Sequence, residues 1–290
     1  MDQSRRGREH ATALTGQFST LEKAAAPPVS TTTNGSRRHS APPRSSYPLG
    51  ENPFNPRARG VRHLKFAKSR DVVVSGGHSD CVYFNHDGWL ARYKILHRGS
   101  RQIMDFVLPG QIFGLPACVF HQAPYSVLAI TDASVSAIPF DMIDNVFERD
   151  PALAKALFWS AVQEAAILGE HLVDTGRRSA CERVSHLLLE LFVRLNRARG
   201  AGEMTFSIPL TQELIADALG LTTVHVNRTL RALREDRLIA VDRRSVTILD
   251  FEALSLMSDF ERSYLAELPR SGREVAAQQL PPYSAAASRA

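Results

Sequence analysis

Residues 211–234 read TQELIADALGLTTVHVNRTLRALR, two short amphipathic segments that meet at Gly220. In the first, Leu214, Ile215, Ala218 and Leu219 form an apolar side, with small Ala216 where another helix must come close. In the second, Val226, Leu230 and Leu233 are spaced by four and three, which marks one face of a helix. Thr222 stands where a helix N-cap is expected, its hydroxyl able to accept an orphan backbone N–H. Two helices joined by a short turn with glycine make a helix-turn-helix. The second helix then leaves Thr223, Val224, Asn227 and Arg228 on the face opposite its core stripe, where side chains can enter a DNA major groove. An αα-hairpin with no DNA role has the same periodicity, so what flanks the motif decides between them.

Downstream, Leu238–Val241 and Val246–Leu249 flank Asp242-Arg243-Arg244-Ser245, a pattern that predicts a β-hairpin with a basic tip. A hairpin directly after a recognition helix is a wing, and Arg243 and Arg244 then lie near phosphates. Residues 250–260 predict a closing helix. Upstream, residues 180–195 predict a helix with Val184, Leu187, Leu188, Leu191 and Phe192 as its buried side, followed by a loop over 196–203.

Asp150-Pro151 predicts the start of a long helix running to about Asp174, with proline at the first helical position. Leu153, Leu157, Ala161, Ala165, Leu168 and Leu172 recur along it every three or four residues. A narrow apolar seam on a helix between two domains suits a parallel dimer; packing on its own domain is the alternative, which Leu153 and Leu157 could serve. Residues 61–145 predict short strands: 72–74, 81–84, 89–96, 102–108, 126–130 and 134–138, with turn signals at Ser75-Gly76-Gly77, Asn85-His86-Asp87-Gly88, Arg98-Gly99-Ser100 and Pro109-Gly110. Such spacing indicates a small antiparallel barrel or roll. Residues 140–147 predict a short helix. Residues 1–60 are dense in Pro, Ser, Thr, Gly and Asn and predict a disordered basic tail, and the Ala-, Pro- and Ser-rich end a flexible one.

The chain is therefore expected to be α+β and divided into a tail (1–60), a β-roll sensor (61–145), a dimerisation helix (146–176), a winged helix-turn-helix (177–262) and a C-terminal tail (263–290). The net charge of +5 is unevenly spread. Residues 177–249 hold twelve Lys/Arg against eight Asp/Glu, whereas residues 61–176 hold ten against twelve. A basic face suits the phosphate backbone. No apolar run approaches the ~18 residues needed to span a membrane, and the N-terminus lacks the apolar core of a secretory signal. Cys81, Cys118 and Cys181 are odd in number and far apart, which argues against a disulfide framework and for a reducing cytoplasm. There is no Ser/His/Asp or Cys/His arrangement, no P-loop and no well-spaced metal signature, so an enzyme is not expected.

The order β-roll, long helix, winged helix-turn-helix resembles the Crp/Fnr superfamily of bacterial transcription regulators. The resemblance is carried by DGWLARYKILHRGSRQIMDFVLPGQIFGL (87–115), GRRSACERVSHLLLEL (176–191) and LTQELIADALGLTTVHVNRTLRALREDRLIAVDRRSVTILD (210–250). It implies a cyclic-nucleotide-binding-like β-roll and a homodimer on a two-fold-symmetric operator, with RNA polymerase as a further candidate partner. Base-facing positions are then Thr223, Val224, Asn227 and Arg228, and Thr222, His225, Arg231, Arg243 and Arg244 lie towards the DNA backbone. Arg228 can take guanine O6 and N7 or a phosphate. Val224 departs from the family, many of whose members carry there a glutamate that reads a cytosine amino group.

Members that bind a cyclic nucleotide supply a glutamate for the ribose and an Arg-Ser pair for the phosphate. Here Leu115 and Tyr125 stand about where the glutamate and arginine belong, beside Gly114 and Ser126, so this candidate effector pocket is not expected to take cAMP in the usual way. Three scattered cysteines do not suit an iron–sulfur cluster, and His78, Cys81 and His86 are not expected to hold a metal or haem. Cys181 begins a helix beside Arg177, Arg178 and Arg183, an environment that lowers a thiol's pKa and makes it a candidate redox switch, the favoured alternative being a buried inert thiol. The competing function is a ligand- or redox-sensing module with weak or lost DNA specificity; Asn227-Arg228 and the basic wing favour DNA reading.

Overall fold

The structure, a computed structural model, describes residues 60–144, 146–196 and 204–265. The expected N-terminal tail, nearly all of the loop over 196–203 and the C-terminal tail from residue 266 onward lie outside the described residues.

Two four-stranded antiparallel sheets form the β-roll. One has the order β1 (Arg62–Phe66), β8 (Ala133–Pro139), β3 (Cys81–Asp87), β6 (Ile112–Phe113). The other has β2 (Asp71–Val73), β7 (Ser126–Ala129), β4 (Leu90–Ile95), β5 (Arg101–Val107). Helix α1 (Leu115–Phe120) follows β6. Leu90, Val107, Phe113, Val127, Ala129 and Val135 share one buried cluster, drawn from both sheets. The expected turn at Asn85–Gly88 is shorter than its composition suggests. Strand β3 continues to Asp87, because buried Asn85 exchanges backbone hydrogen bonds with Gln111 O and Gly110 N–H and its Nδ2 donates to Gly88 O (2.9 Å). The predicted helix over 140–147 is a 3-10 turn, Phe140–Met142, and a separate helix α2, Val146–Arg149.

Helix α3 (Pro151–Gly176) starts as expected, with the Asp150 carboxylate accepting from Leu153 N–H (3.0 Å) and proline in the first turn. Its N-terminal half corrects the seam read from the sequence. Leu157 is buried, with Leu153 against the same cluster, among Val82, Phe84, Ile112 and Ile138 of the β-roll. The outward stripe is instead Phe158, Ala161, Ala165 and Leu172, with half-buried Leu168 in line and Val162 and Val173 beside it. Phe158 is 64% and Leu172 73% exposed. The reason is positional: the first two turns lie over one cluster of the β-roll, and beyond them only the side carrying Glu164, Ile167 and His171 faces β4 and β5, which leaves the opposite side open.

Helix α4 (Ala180–Asn196) is buried on nearly every side, with Val184, Leu187, Leu188, Leu189 and Leu191 in the largest apolar cluster. Phe192 of the predicted stripe is only half-buried, packed against that cluster. The same cluster takes in Ala91, Tyr93, Ile103 and Phe106 of β4–β5 and Ile167 of α3, so the apolar core crosses from the roll into the C-terminal part. Strand β9 (Thr205–Ser207), which the sequence reading missed, joins β10 (Ile239–Asp242) and β11 (Ser245–Ile248) in the order β10-β11-β9. The helices α5 (Gln212–Leu219), α6 (Thr223–Glu235) and α7 (Phe251–Ser258) complete the fold.

Candidate nucleic-acid interface

Local chemistry fixes the two helices of the 211–234 stretch. Thr211 Oγ1 accepts from Leu214 N–H and Thr222 Oγ1 from His225 N–H, each at 3.2 Å, so both helices begin at a threonine cap. Gly220 ends α5 at φ +62°, the left-handed conformation that glycine adopts without a Cβ penalty. Ile215, Ala216 and Leu219 of α5 face Val226, Thr229 and Leu233 of α6 in the core. Burying that stripe turns the rest of α6 outward.

Thr223, Val224, His225, Asn227 and Arg228 are all exposed on that outward side. Val224 is 63% exposed, an apolar side chain with no core to enter. Arg228 carries no ion pair among the described residues. Asn227 Nδ2 lies 3.3 Å from Gln212 Oε1 at the start of α5. Gln212 was not singled out from the sequence; its place in the first turn after the Thr211 cap is the signal that could have pointed to it. Arg231 is differently placed from Arg228. Its Nε donates to Glu235 Oε1 (2.8 Å), which raises the guanidinium's pKa and directs the group along the helix towards its C-terminal end.

The predicted hairpin forms with Asp242 paired to Ser245 and a two-residue tip, Arg243-Arg244. Arg243 adopts φ +49°, and Arg244 O accepts from Ile208 N–H (2.7 Å), which ties the tip to the strand-like segment after β9. Both arginines are exposed. The free face of α6 and the wing tip thus supply Arg228, Arg243 and Arg244 as exposed cations, the donor set a phosphate backbone and guanine edges require.

The four residues of the candidate effector pocket are arranged otherwise. Tyr125 is buried among Leu90, Val107 and Val127, whereas Leu115 packs on the opposite cluster with Val82 and Ile112. Burial pushes the Tyr125 phenol up to about 12. Ser126 Oγ accepts from Ser75 N–H (2.9 Å), and Gly114 precedes α1. A guanidinium lies over the Tyr125 ring, that of Arg92, 5.9 Å from the centroid, and it is ion-paired with Glu164 of α3. Leu115 and Tyr125 themselves offer no cation for a phosphate.

The Cys181 reading is corrected. Its Sγ lies 3.5 Å from Met257 Sδ, and burial pushes the thiol up rather than down. The neighbouring arginines turn away: Arg178 to Glu170 and Asp174, Arg183 to the carbonyls of Arg178 and Leu219. Among the described residues, Asp105, His171 and Glu190 bring metal-type ligand atoms within 4.8 Å of one another. Arg194 Nη1 lies 2.8 Å from both carboxylates, so a guanidinium already fills the position between them.

Comparison with known proteins agrees with this geometry. Residues 64–150 match the family of cyclic nucleotide-binding domains and residues 182–257 that of Crp-like helix-turn-helix domains. The nitrogen fixation regulation protein FixK of Bradyrhizobium diazoefficiens is 31% identical over 190 residues, covering 65% of this chain and 78% of FixK. The transcriptional activator FnrL of Cereibacter sphaeroides is 29% identical over 67% of this chain and 81% of its own length. The structure of FixK2 from Bradyrhizobium japonicum superimposes with a TM-score of 0.60 at 25% identity, over 68% of this chain and 96% of that one. The β-roll, the long helix and the winged helix-turn-helix with its exposed α6 face place this chain in the Crp/Fnr family of transcription regulators.

Proposed function

We propose that the chain acts as a homodimer on a two-fold-symmetric operator, with one α6 in each half-site and the two half-sites about one helical turn apart. The observation that carries this is the exposed set Thr223, Val224, Asn227 and Arg228 opposite buried Val226, Thr229 and Leu233. The stripe Phe158, Ala161, Ala165, Leu168 and Leu172 follows the three-four spacing of a coiled-coil seam and supports pairing through α3. Arg228 takes a guanine edge or a phosphate. Asn227 suits adenine N6 and N7, and Val224 suits a thymine methyl rather than a cytosine amino group. Thr222 and His225 at the start of α6 and Arg243 and Arg244 on the wing approach phosphates. RNA polymerase is the further partner of this reading. No cyclic nucleotide acts as effector in the usual manner, which Leu115 and Tyr125 support.

The test is a gel shift on the region upstream of the protein's own gene, with titration calorimetry against cAMP. A salt-dependent, sequence-selective shift is expected, lost in Arg228→Ala while the dimer persists in sedimentation. Undiminished selective binding by Arg228→Ala refutes the recognition-helix assignment; micromolar cAMP binding refutes the effector reading.

A further inference from the structure

Six ionisable side chains form a buried circuit of alternating charge across four elements. From α3, Glu164 pairs with Arg92 of β4. Arg92 faces Asp105, its cross-strand partner on β5 (3.7 Å). Asp105 meets Arg194 of α4 (2.8 Å), and Arg194 meets Glu190 one turn earlier (2.8 Å). Glu190 then accepts from His171 Nε2 (3.0 Å), which returns the circuit to α3, two turns beyond Glu164. Arg92, Asp105, Glu190 and Arg194 are each no more than 2% exposed.

His171 must carry its charge here. Its Nε2 meets a carboxylate and its Nδ1 meets the carbonyl oxygen of Met104 (2.8 Å); neither partner can donate, so both ring nitrogens hold protons. The Met104 carbonyl is available because β5 is irregular at this point: Arg92 pairs with Asp105 but Tyr93 with Ile103, which leaves Met104 as the extra residue of a bulge. Arg194 makes an equivalent contact with the same strand, to Phe106 O (2.5 Å), and another beyond its end, to Gln111 Oε1 (3.1 Å). The start of β5 meets the helix-turn-helix itself, with Arg101 Nε on Asp217 (2.7 Å) and Gln102 Nε2 on Ala218 O (3.1 Å).

A buried ion circuit is weak evidence for stability, because desolvation offsets much of the attraction. Directional charge pairs do fix geometry. We propose that His171 and Arg194 are positioning residues for DNA reading: they seat α4 on strand β5 at one angle and thereby set the inclination and separation of the two recognition helices. This rests on the dimeric, two-fold reading of the operator. The groups facing His171 are Asp105 and the Met104 carbonyl from β5 and Glu190 from α4, and those facing Glu190 in turn are Arg194 and His186 from α4 and Tyr264, whose hydroxyl donates to it (3.0 Å). Burial pulls the imidazole down, but Glu190 outweighs it and raises the pKa to about 9. The latch is therefore complete at neutral pH and is released as pH rises through about 9.

His171→Gln tests this, since it keeps one donor and removes the charge; Arg194→Gln takes one partner each from Asp105 and Glu190, which keep Arg92 and His171, and serves as a check on folding. A readout that needs no DNA is the distance distribution between nitroxide labels at Lys94→Cys on the roll and Glu252→Cys on α7. The three native cysteines are replaced by alanine, and labelled protein is diluted in unlabelled protein. One narrow distance at pH 7.5 is expected, broadening above pH 9 and broad at every pH in His171→Gln. On operators lengthened or shortened by one base pair at the centre, the parent should lose about tenfold in affinity and His171→Gln no more than about threefold, with single half-site affinity unchanged. A distribution equally narrow in parent and variant overturns the proposal whatever DNA is bound. A broadened distribution in a protein that selects no DNA sequence leaves the latch standing and overturns the operator reading instead.

Discussion

The turn between β3 and β4 should be the least forgiving glycine site of the β-roll. Gly88 adopts φ +88°, and a Cβ built on it would lie 2.3 Å from Asp132 O and 2.7 Å from Ala133 Cα, both backbone atoms. Gly99, in the next hairpin, adopts φ +83° but meets nothing within 4 Å. The two positions share a conformational cost and differ only in space, so one calibrates the other. A left-handed alanine costs about 1–2 kcal/mol, offset by about 0.4–1 kcal/mol from the restricted unfolded chain. Gly99→Ala should therefore cost about 1 kcal/mol. Gly88→Ala adds backbone overlap worth about 1–3 kcal/mol, for a total of about 2–4 kcal/mol. The neighbours cannot move aside cheaply, because Trp89 N–H donates to Thr131 Oγ1 (2.9 Å) and Asn85 Nδ2 to Gly88 O. Urea unfolding followed by Trp89 fluorescence in a Trp159→Phe background isolates the roll, since the chain has two tryptophans. With a urea slope of about 1–3 kcal/mol per molar, the midpoint should fall by about 1–2 M for Gly88→Ala and by well under 1 M for Gly99→Ala. Equal midpoints for the two variants would refute the close approach of the turn to residues 132–133.

Three further outcomes follow from the interface. Thr222→Ala removes the cap to His225 N–H and should destabilise the helix-turn-helix by about 1 kcal/mol in thermal unfolding, against less than about 0.5 for exposed Thr223→Ala. Arg243→Ala should weaken binding to every DNA sequence alike and flatten the slope of log affinity against log salt by about 0.9; an effect confined to one sequence would remove the wing tip from the backbone. Because burial pushes the Cys181 thiol up, peroxide should leave the parent's DNA affinity within about twofold of that of Cys181→Ser, and a selective loss in the parent would restore the redox switch.

The parts of this fold that were legible in the sequence are those specified locally. Threonine caps, Gly220 and the three-four apolar spacing define α5 and α6 within two dozen residues, and Asp150-Pro151 announces α3. Strands β6 and β9 were not legible: they are two and three residues long and exist by pairing with distant partners. The charge circuit was hidden for the same reason, since Arg194 and Asp105 lie 89 residues apart. One local signal was there to be read. His186, Glu190 and Arg194 recur every four residues on a helix otherwise rich in leucine, which places ionisable groups in line with a buried face. The seam on α3 was half legible, because periodicity cannot tell which apolar turns a neighbouring domain will cover. Among the interface residues, exposure of the α6 face followed from its core stripe, whereas the Arg231–Glu235 pairing needed side-chain geometry.

The bulge at Met104 has a consequence for how such a chain can be recombined. Strand β5 belongs to the roll by its backbone ladder, yet its carbonyls and its one buried carboxylate are ligands for cations of α3 and α4. The boundary between sensor and reader therefore does not coincide with any cut in the sequence. A chimera that joins another roll to this helix-turn-helix at residue 150 or 176 would leave Arg194 with Glu190 of its own helix but without Asp105, Phe106 O and Gln111 as acceptors. One that also transplants residues 101–111 would keep those acceptors for Arg194, making that segment of eleven residues, remote in sequence from the reader, a functional part of it.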